Sequence, residues 1–400
     1  MTSGRPMAER RLPVLWLTGP PGAGKSTLGW ELFDRLARDV RVGYVDLDQV
    51  GMCYATPTPD SWAPEPRGDY GRHRLQARNL NDLLPVFAAA GAAGVVVSGV
   101  VDARRGIDVE LLPAAALTSL RLRVDPAELA RRLRARARPD DDVEHVLRYA
   151  AQLDGLPGAV LDTTGTTVEQ AVELVRQHSG DWPFAAKAGP VEFAGDAALP
   201  LSGRAASTAG PVLWLCGATG VGKSTVGWQL YEQIRSLGVR CAFVDLQQIG
   251  FLRPTGEDDA GNHGLTARNL AAVWANFRAD GARGLLVVGS LDSAETRARY
   301  AAAMPEASIA VCRLHAGPDR FAERVALRGR GLGPPIAGDA LAGQPADVLH
   351  EVAVRATAEA AAQQRAALGD VWIDTDRSSP REAAREILRR TDWLGLAHRL

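Results

Sequence analysis

The feature that most constrains this chain is that it is written twice. PVLWLTGPPGAGKSTLGWEL at 13–32 is answered by PVLWLCGATGVGKSTVGWQL at 211–230, an offset of 198 residues. The match runs on in order. VRVGYVDLDQVG (40–51) pairs with VRCAFVDLQQIG (239–250), HRLQARNL (73–80) with HGLTARNL (263–270), and AGAAGVVVSGVVD (90–102) with DGARGLLVVGSLD (280–292). ARRLRARAR (130–138) then meets AERVALRGR (322–330), and LDTTG (161–165) meets IDTDR (373–377). At 400 residues and 46% hydrophobic side chains the chain exceeds what one core usually serves. Two domains are expected, 1–182 and 211–400, and the Ala-, Gly-, Pro- and Ser-rich stretch 183–210 reads as a linker.

Within the first repeat, short apolar runs alternate with helical patterns: strand 14–18, helix 26–37, strand 42–46, helix 73–90, strand 95–98. Unbroken apolar strands separated by helices imply a parallel sheet covered on both faces. The expected fold class is therefore α/β, with two tandem three-layer domains built on parallel sheets. Pro85 interrupts the second helix where the other repeat has Ala275, so a kink is expected there.

Both repeats carry GxxxxGK[ST] between an apolar strand and a helix: Gly19, Gly22, Ala23, Gly24, Lys25, Ser26 and Thr27 in the first, and Gly217, Gly220, Val221, Gly222, Lys223, Ser224 and Thr225 in the second. Glycines let backbone N–H groups curl around an anion, and the helix N-terminus adds partial positive charge. The lysine reaches the terminal phosphates, and the serine hydroxyl ligates Mg²⁺. Composition singles out the same lysines. Of 46 basic residues only Lys25, Lys187 and Lys223 are lysine, and two of these three sit in the glycine loops. A compact ammonium fits there and a broad guanidinium does not.

The second strand ends in Asp46-Leu47-Asp48 and, in the other repeat, Asp245-Leu246-Gln247. Such carboxylates can orient Mg²⁺-bound water or accept the proton of an attacking hydroxyl, and strand alternation places Asp46 and Asp48 on one side. A plainer reading is that they end the strand and cap the following turn. Ser26, Asp46, Ser224 and Asp245 are the candidate metal ligands.

With WLTGPPGAGKSTL at 16–28, the Asp-x-Asp, the RNL helix at 78–80 leading to AGAAGVVVSG at 90–99, and DTTG at 162–165, each repeat resembles the small-molecule kinase branch of P-loop proteins. That branch includes adenylylsulfate, gluconate and shikimate kinases and chloramphenicol phosphotransferase. Leu47 and Gln49 depart from the Gly and Asn found around the second acidic pair of adenylylsulfate kinases. The resemblance implies ATP and Mg²⁺ as cofactors, and Asp46 and Asp48 handling metal and substrate hydroxyl. It also implies a substrate-contacting Arg78, an arginine-rich lid helix with Arg132 and Arg136, and a segment near adenine that includes Asp162 and Thr163.

Arg132 and Arg136 lie one helical turn apart and align with Arg324 and Arg328. Arginines so placed can neutralise a transferring phosphoryl group, although a solvated charged face is the plainer reading for any one of them. His73, Arg78 and Asn79, the candidate substrate-binding set, recur as His263, Arg268 and Asn269. For the histidine a cap or core bond is an equal alternative. The repeats diverge in two places. The span from Asp46 to His73 is 27 residues against 18 from Asp245 to His263, and the surplus holds Trp62, Arg67 and Tyr70, residues suited to an acceptor pocket or to a plain surface loop. The second lid carries GRGLGPPIAGDALAGQP (329–345), which reads as a flexible insertion.

A net charge of -1 argues against a general nucleic-acid binder. No apolar run approaches the roughly 20 residues of a membrane span, the N-terminal stretch lacks signal-peptide features, and the four cysteines are scattered, so a cytoplasmic protein is expected. The leading expectation is ATP-dependent transfer to a hydroxyl of a small molecule, catalysed mainly by the first repeat, with Gln247 leaving the second a nucleotide-binding partner. The alternatives are an ATP-binding switch without an acceptor and, less favoured, a nucleic-acid end kinase.

Overall fold

The apolar runs after each glycine loop behave as buried strands should. In a computed structural model describing residues 11–54, 71–135, 143–180, 182–183, 207–259, 261–332 and 341–396, the strands Gly94–Ser98 and Gly284–Val288 are buried at every position. The linker core, the 55–70 loop and Arg136 lie outside the described residues.

The chain forms two compact units: Met1–Gly51 with Gly68–Arg204 and Ile249–Leu265, and Met52–Arg67 with Ala205–Gln248 and Thr266–Leu400. Both are α/β domains built on a six-stranded sheet. The expected contiguous domains are the repeats of the sequence, whereas each compact unit also takes one short segment from the other repeat.

In the first unit β1 (Leu12–Thr18), β2 (Val42–Asp46), β4 (Gly94–Ser98), β5 (Ala115–Arg123) and β6 (Ala159–Asp162) run parallel in the order β6-β5-β1-β4-β2. The sixth strand, β9 (Phe251–Arg253), is encoded in the second repeat and pairs antiparallel with β2, Tyr44 opposite Phe251. The second unit repeats the plan with β7 (Gly210–Cys216), β8 (Cys241–Asp245), β10 (Gly284–Val288), β11 (Ala307–His315) and β12 (Val371–Asp374). Its edge is closed by β3 (Cys53–Tyr54) of the first repeat, again antiparallel.

Alternation along β2 assigns the covering helices. Tyr44 meets Gly29 of α1 (Lys25–Leu36), while its neighbour Gly43 meets Phe87 of α2 (Gly71–Ala89) from the opposite face. Helix α2 continues through Pro85 as one element. Helices α3 (Pro126–Ala135), α4 (Val143–Asp154) and α5 (Val168–Ser179) complete this unit; α5 packs on α1 and opens with a Thr167–Gln170 capping box. In the second unit α6 (Lys223–Ser236), α7 (His263–Ala279), α8 (Ala294–Ala303), α9 (Pro318–Gly329), α10 (Ala346–Arg365) and α11 (Pro380–Thr391) follow. Here α11 carries the corresponding box, Ser379 with Glu382.

The exchanged strand is anchored by aromatic burial. Phe251 packs against Trp30, Tyr44 and Phe33 with ring centroids 4.7, 6.0 and 6.4 Å away. The Arg253 guanidinium lies over the Trp30 ring and pairs with Asp34 at 3.1 Å. In the other unit Met52, the residue matching Phe251, enters the hydrophobic core instead.

Candidate functional site

The chain leaves β1 at the centre of the sheet and reaches β2 by skipping the place that β4 fills, before β5 returns to the other side of β1. Open α/β sheets bind ligands at such a reversal, outside the carboxyl ends of the strands. The loop after β1 is the glycine loop. Its backbone demands glycine: Gly19 has φ +139° and a Cβ there would lie 2.7 Å from the Leu122 carbonyl oxygen, while at Gly22, φ +86°, it would meet Leu129 and Leu133 of α3 at 3.0 Å. Ala23 is buried in the loop, and Gly24 caps α1 in the left-handed region.

The helix starts on Lys25, which is buried and donates to Pro20 O at 2.9 Å. Ser26 Oγ donates to Asp46 Oδ2 at 3.3 Å; in the second unit Ser224 Oγ donates to Asp245 Oδ2 at 3.1 Å, and Lys223 Nζ donates to Gly217 O and Ala218 O at 2.8 and 3.1 Å. The next residues, Thr27 and Thr225, are exposed. Burial, followed by the charge of Asp48, raises the Asp46 carboxyl to about 7 against the pull of the Asp48 N–H, Lys25 and Ser26. Asp245 is likewise raised by burial.

The strand ends at Asp46, so alternation does not place Asp48. Residues Leu47–Val50 form a 3₁₀ turn capped by Asp46, whose Oδ1 accepts from Asp48 N at 3.0 Å. The turn, not the pleat, brings the two carboxylates together, and the capping role and proximity to the P-loop hold at once. Gln247 N makes the same bond to Asp245 Oδ1 at 3.0 Å.

Asp48 accepts from Arg72 Nη2 at 3.2 Å, a partner not apparent in the sequence because the matching position is Asn262. His73, Gln76, Leu47, Val101, Asp102 and Arg105 line a pocket between α2 and the segment after β4. Burial and then Arg72 lower the His73 pKa, against the attraction of Asp102 and Asp48. Tyr149 of α4 braces the pocket wall, donating to Val101 O at 2.5 Å and accepting from Val101 N at 3.2 Å. Asn79 is fully buried and donates to Val50 O at 2.5 Å, while Gln76 donates to Leu47 O at 3.1 Å, so α2 holds the turn that presents Asp48. Arg78 is half-buried on the same helix.

On the other side of the P-loop, Arg132 is bonded to Glu128, whose Oε2 accepts from Gly165 N at 3.0 Å. Those bonds depress the Glu128 pKa. Asp162 is exposed and held below its ordinary range by the Thr164 hydroxyl and N–H, the latter at 2.9 Å, while Thr163 is buried and donates to Arg123 O at 3.2 Å. The second unit differs. Arg320 stands where Glu128 does, and Arg324 turns to the loop, donating to Val221 O at 2.6 Å and to Thr375 O and Oγ1 at 2.8 and 3.0 Å.

Glu359 of α10 also reaches this second loop, accepting from Thr219 N at 3.1 Å and from Gln363 Nε2 at 3.2 Å. Lys223 is lowered by burial, with the Glu359 carboxylate its main counterweight. Among the described residues no cluster of three or more His, Cys, Asp or Glu could hold a metal alone. Likewise, no described helix is long and apolar enough to cross a membrane.

The family model described as an AAA domain matches residues 15–149. The chain is similar to a shikimate kinase of Alteromonas mediterranea, 32% identical over 178 residues, 42% of this chain and 94% of that protein. It is also similar to a shikimate kinase of Psychrobacter sp., 36% identical over 91 residues, which are 22% of this chain and about half, 48%, of that protein. A gluconokinase structure from Sinorhizobium meliloti 1021 aligns at 19% identity and TM-score 0.31, covering 48% of this chain and 96% of its own. The chain belongs to the P-loop kinase family represented by the Alteromonas protein.

Proposed function

We propose that the protein is an ATP-dependent phosphotransferase acting on a hydroxyl of a small molecule, and that its first repeat carries the reaction. The observation behind this reading is the joint placement of Ser26, Asp46 and Asp48, with Asp48 held by Arg72 beside the pocket lined by His73, Asp102 and Arg105. The P-loop from Gly19 to Thr27 cradles the ATP phosphates, with Lys25 on the terminal ones and Asp162 and Thr163 on the adenine side.

Ser26 and Asp46 fit a Mg²⁺ site. Their oxygens stand 3.3 Å apart, close to the roughly 3 Å between adjacent ligands of an octahedral ion bound at about 2.1 Å. Bound there, Mg²⁺ supplies charge neutralisation on the phosphates. Asp48 takes the proton of the acceptor hydroxyl as that oxygen bonds to the γ-phosphorus and the bond to the ADP leaving oxygen breaks. Arg132 and Arg136 stabilise the spreading charge, Arg78 and His73 bind the acceptor, and Asn79 holds the turn that presents Asp48.

In the second repeat Gln247 can orient a hydroxyl but cannot accept its proton at neutral pH, which favours a regulatory part for that half. The test is incubation of the full-length protein and Asp48→Asn with Mg-ATP and a pool of hydroxylated metabolites, reading ADP release and phosphorylated products by mass spectrometry. Transfer by the wild type, and ATP binding without transfer by the variant, are expected. ATP binding by the wild type with no phosphorylated product from any pool would instead make it an ATP-binding switch.

A further inference from the structure

The second glycine loop already holds an anion of the chain's own. A P-loop is a concave set of N–H donors at a helix N-terminus, built for a charged oxygen. In this loop Thr219 N donates to Glu359 Oε2 at 3.1 Å. The carboxylate is not a passing surface group: Gln363, one turn along α10, donates to its other oxygen at 3.2 Å and is itself buried and bonded to Leu291 O at 3.2 Å. Glu359 is thus braced from behind and aimed at the loop.

Neither half of this contact can be built in the first repeat. The residue matching Thr219 is Pro21, which has no N–H to donate. The match to Glu359 follows from the bracing bonds. Tyr149 and Gln363 each donate to the carbonyl of an equivalent residue after the middle strand, Val101 and Leu291, so they hold the same place in their units. One helical turn earlier stand His145 and Glu359. A histidine there cannot compete with phosphate as an anion.

We propose that Glu359 is a resident competitor for the phosphate site of the second P-loop, so that this loop takes up nucleotide only when the carboxylate withdraws. The inference rests on the reading that the P-loops bind ATP, and it makes the second repeat a latent nucleotide site that is closed at rest. Apparent affinity falls by the fraction of molecules with the loop open. Releasing a charge-assisted bond of this kind raises affinity about 10-fold or more.

The test counts ATP bound to full-length protein by calorimetry in wild type, Lys25→Ala, Lys25→Ala with Glu359→Gln, and Lys25→Ala with Glu359→Asp. The Gln variant keeps shape and loses charge; the Asp variant keeps charge and shortens reach. Wild type should bind one ATP tightly, Lys25→Ala weakly or not at all, and both double variants should recover one site at least about 10-fold tighter than Lys25→Ala alone. Circular dichroism and thermal melting check that all four are folded. Equal affinity in Lys25→Ala and the folded double variants, or a folded double variant that binds nothing while wild type binds one ATP, would overturn the proposal. Absence of binding in every protein, wild type included, would instead remove the reading of the P-loops as ATP sites, and the proposal with it.

Discussion

The two glycine loops are nearly the same object. Their opening glycines have φ of 139° and 140°, their middle glycines 86° and 79°, and the glycines capping the helices 92° and 101°. The serine-to-aspartate bond is 3.3 Å in one and 3.1 Å in the other. Several side chains at their rims differ. The first has Asp48 with Arg72, and an Arg132 held by Glu128; the second has Gln247, an Arg324 bonded to the loop, and Glu359 on the Thr219 N–H. Glycine and strand chemistry fix the cradle, and the side chains brought to its rim decide what it can do.

The largest expected effect separates the two acceptor sides. Asp48→Asn should lower phosphoryl transfer about 10²- to 10⁴-fold while leaving ATP affinity near wild type. Installing the missing acid by Gln247→Asp should not by itself give the second repeat activity, because Glu359 still occupies its loop. Turnover assays paired with calorimetry check both, and an Asp48→Asn enzyme at wild-type rate removes that residue from the reaction.

The exchanged strands sharpen the comparison next. Phe251 lies in the second repeat yet packs in the first unit, so Phe251→Ala should cost that unit about 3 kcal/mol, and Met52→Ala the other unit about 2 kcal/mol. Hydrogen exchange followed strand by strand should show faster exchange at β2 in the first variant with β8 unchanged. A change at β8 alone would place the strand in its own repeat.

Where the halves are built alike, they should respond alike. Thr167→Ala and Ser379→Ala each remove the hydroxyl of a capping box and should each cost about 1 kcal/mol in denaturation. Unequal losses would show that one helix is held chiefly by tertiary packing.

The smallest difference concerns acid. Burial pushes the Asp370 carboxyl up, but Arg297, at 2.8 and 2.9 Å, and the Val311 N–H, at 2.8 Å, outweigh it and hold the group below its ordinary range. A carboxylate with a folded pKa below its unfolded value stabilises above the unfolded pKa, about 3.9, and loses that contribution as pH falls through the folded one. The residue matching it is Gly158, so this loss is confined to the second unit. For a pair this exposed it amounts to less than about 1 kcal/mol. Asp370→Asn should therefore be less stable than wild type at pH 7 and equal to it near pH 2, as read in urea titrations.

Much of the scaffold is legible in the residues. Apolar runs such as GVVVS and GLLVV can only be strands buried on both faces, and the glycine spacing fixes the loop and the start of α1 at Lys25. Asp48 was legible as a residue but not in its geometry, because a 3₁₀ turn following a strand has no period to read. The strands Cys53–Tyr54 and Phe251–Arg253 are too short for any alternation to declare them, and their exchange is a tertiary choice. Arg72 is hidden by having no counterpart across the repeats, and Glu359 by lying in an alanine-rich helix. Its trace was the change from Pro21 to Thr219, visible in the alignment of the loops and meaningful only once the N–H is seen to have an acceptor.

The division of labour between the repeats is tested most directly by one comparison: acceptor-dependent ADP release by full-length Lys25→Ala and Lys223→Ala at saturating Mg-ATP. Transfer lost in the first variant and close to wild type in the second is the expected result. Transfer lost in Lys223→Ala and retained in Lys25→Ala would place the reaction in the other half.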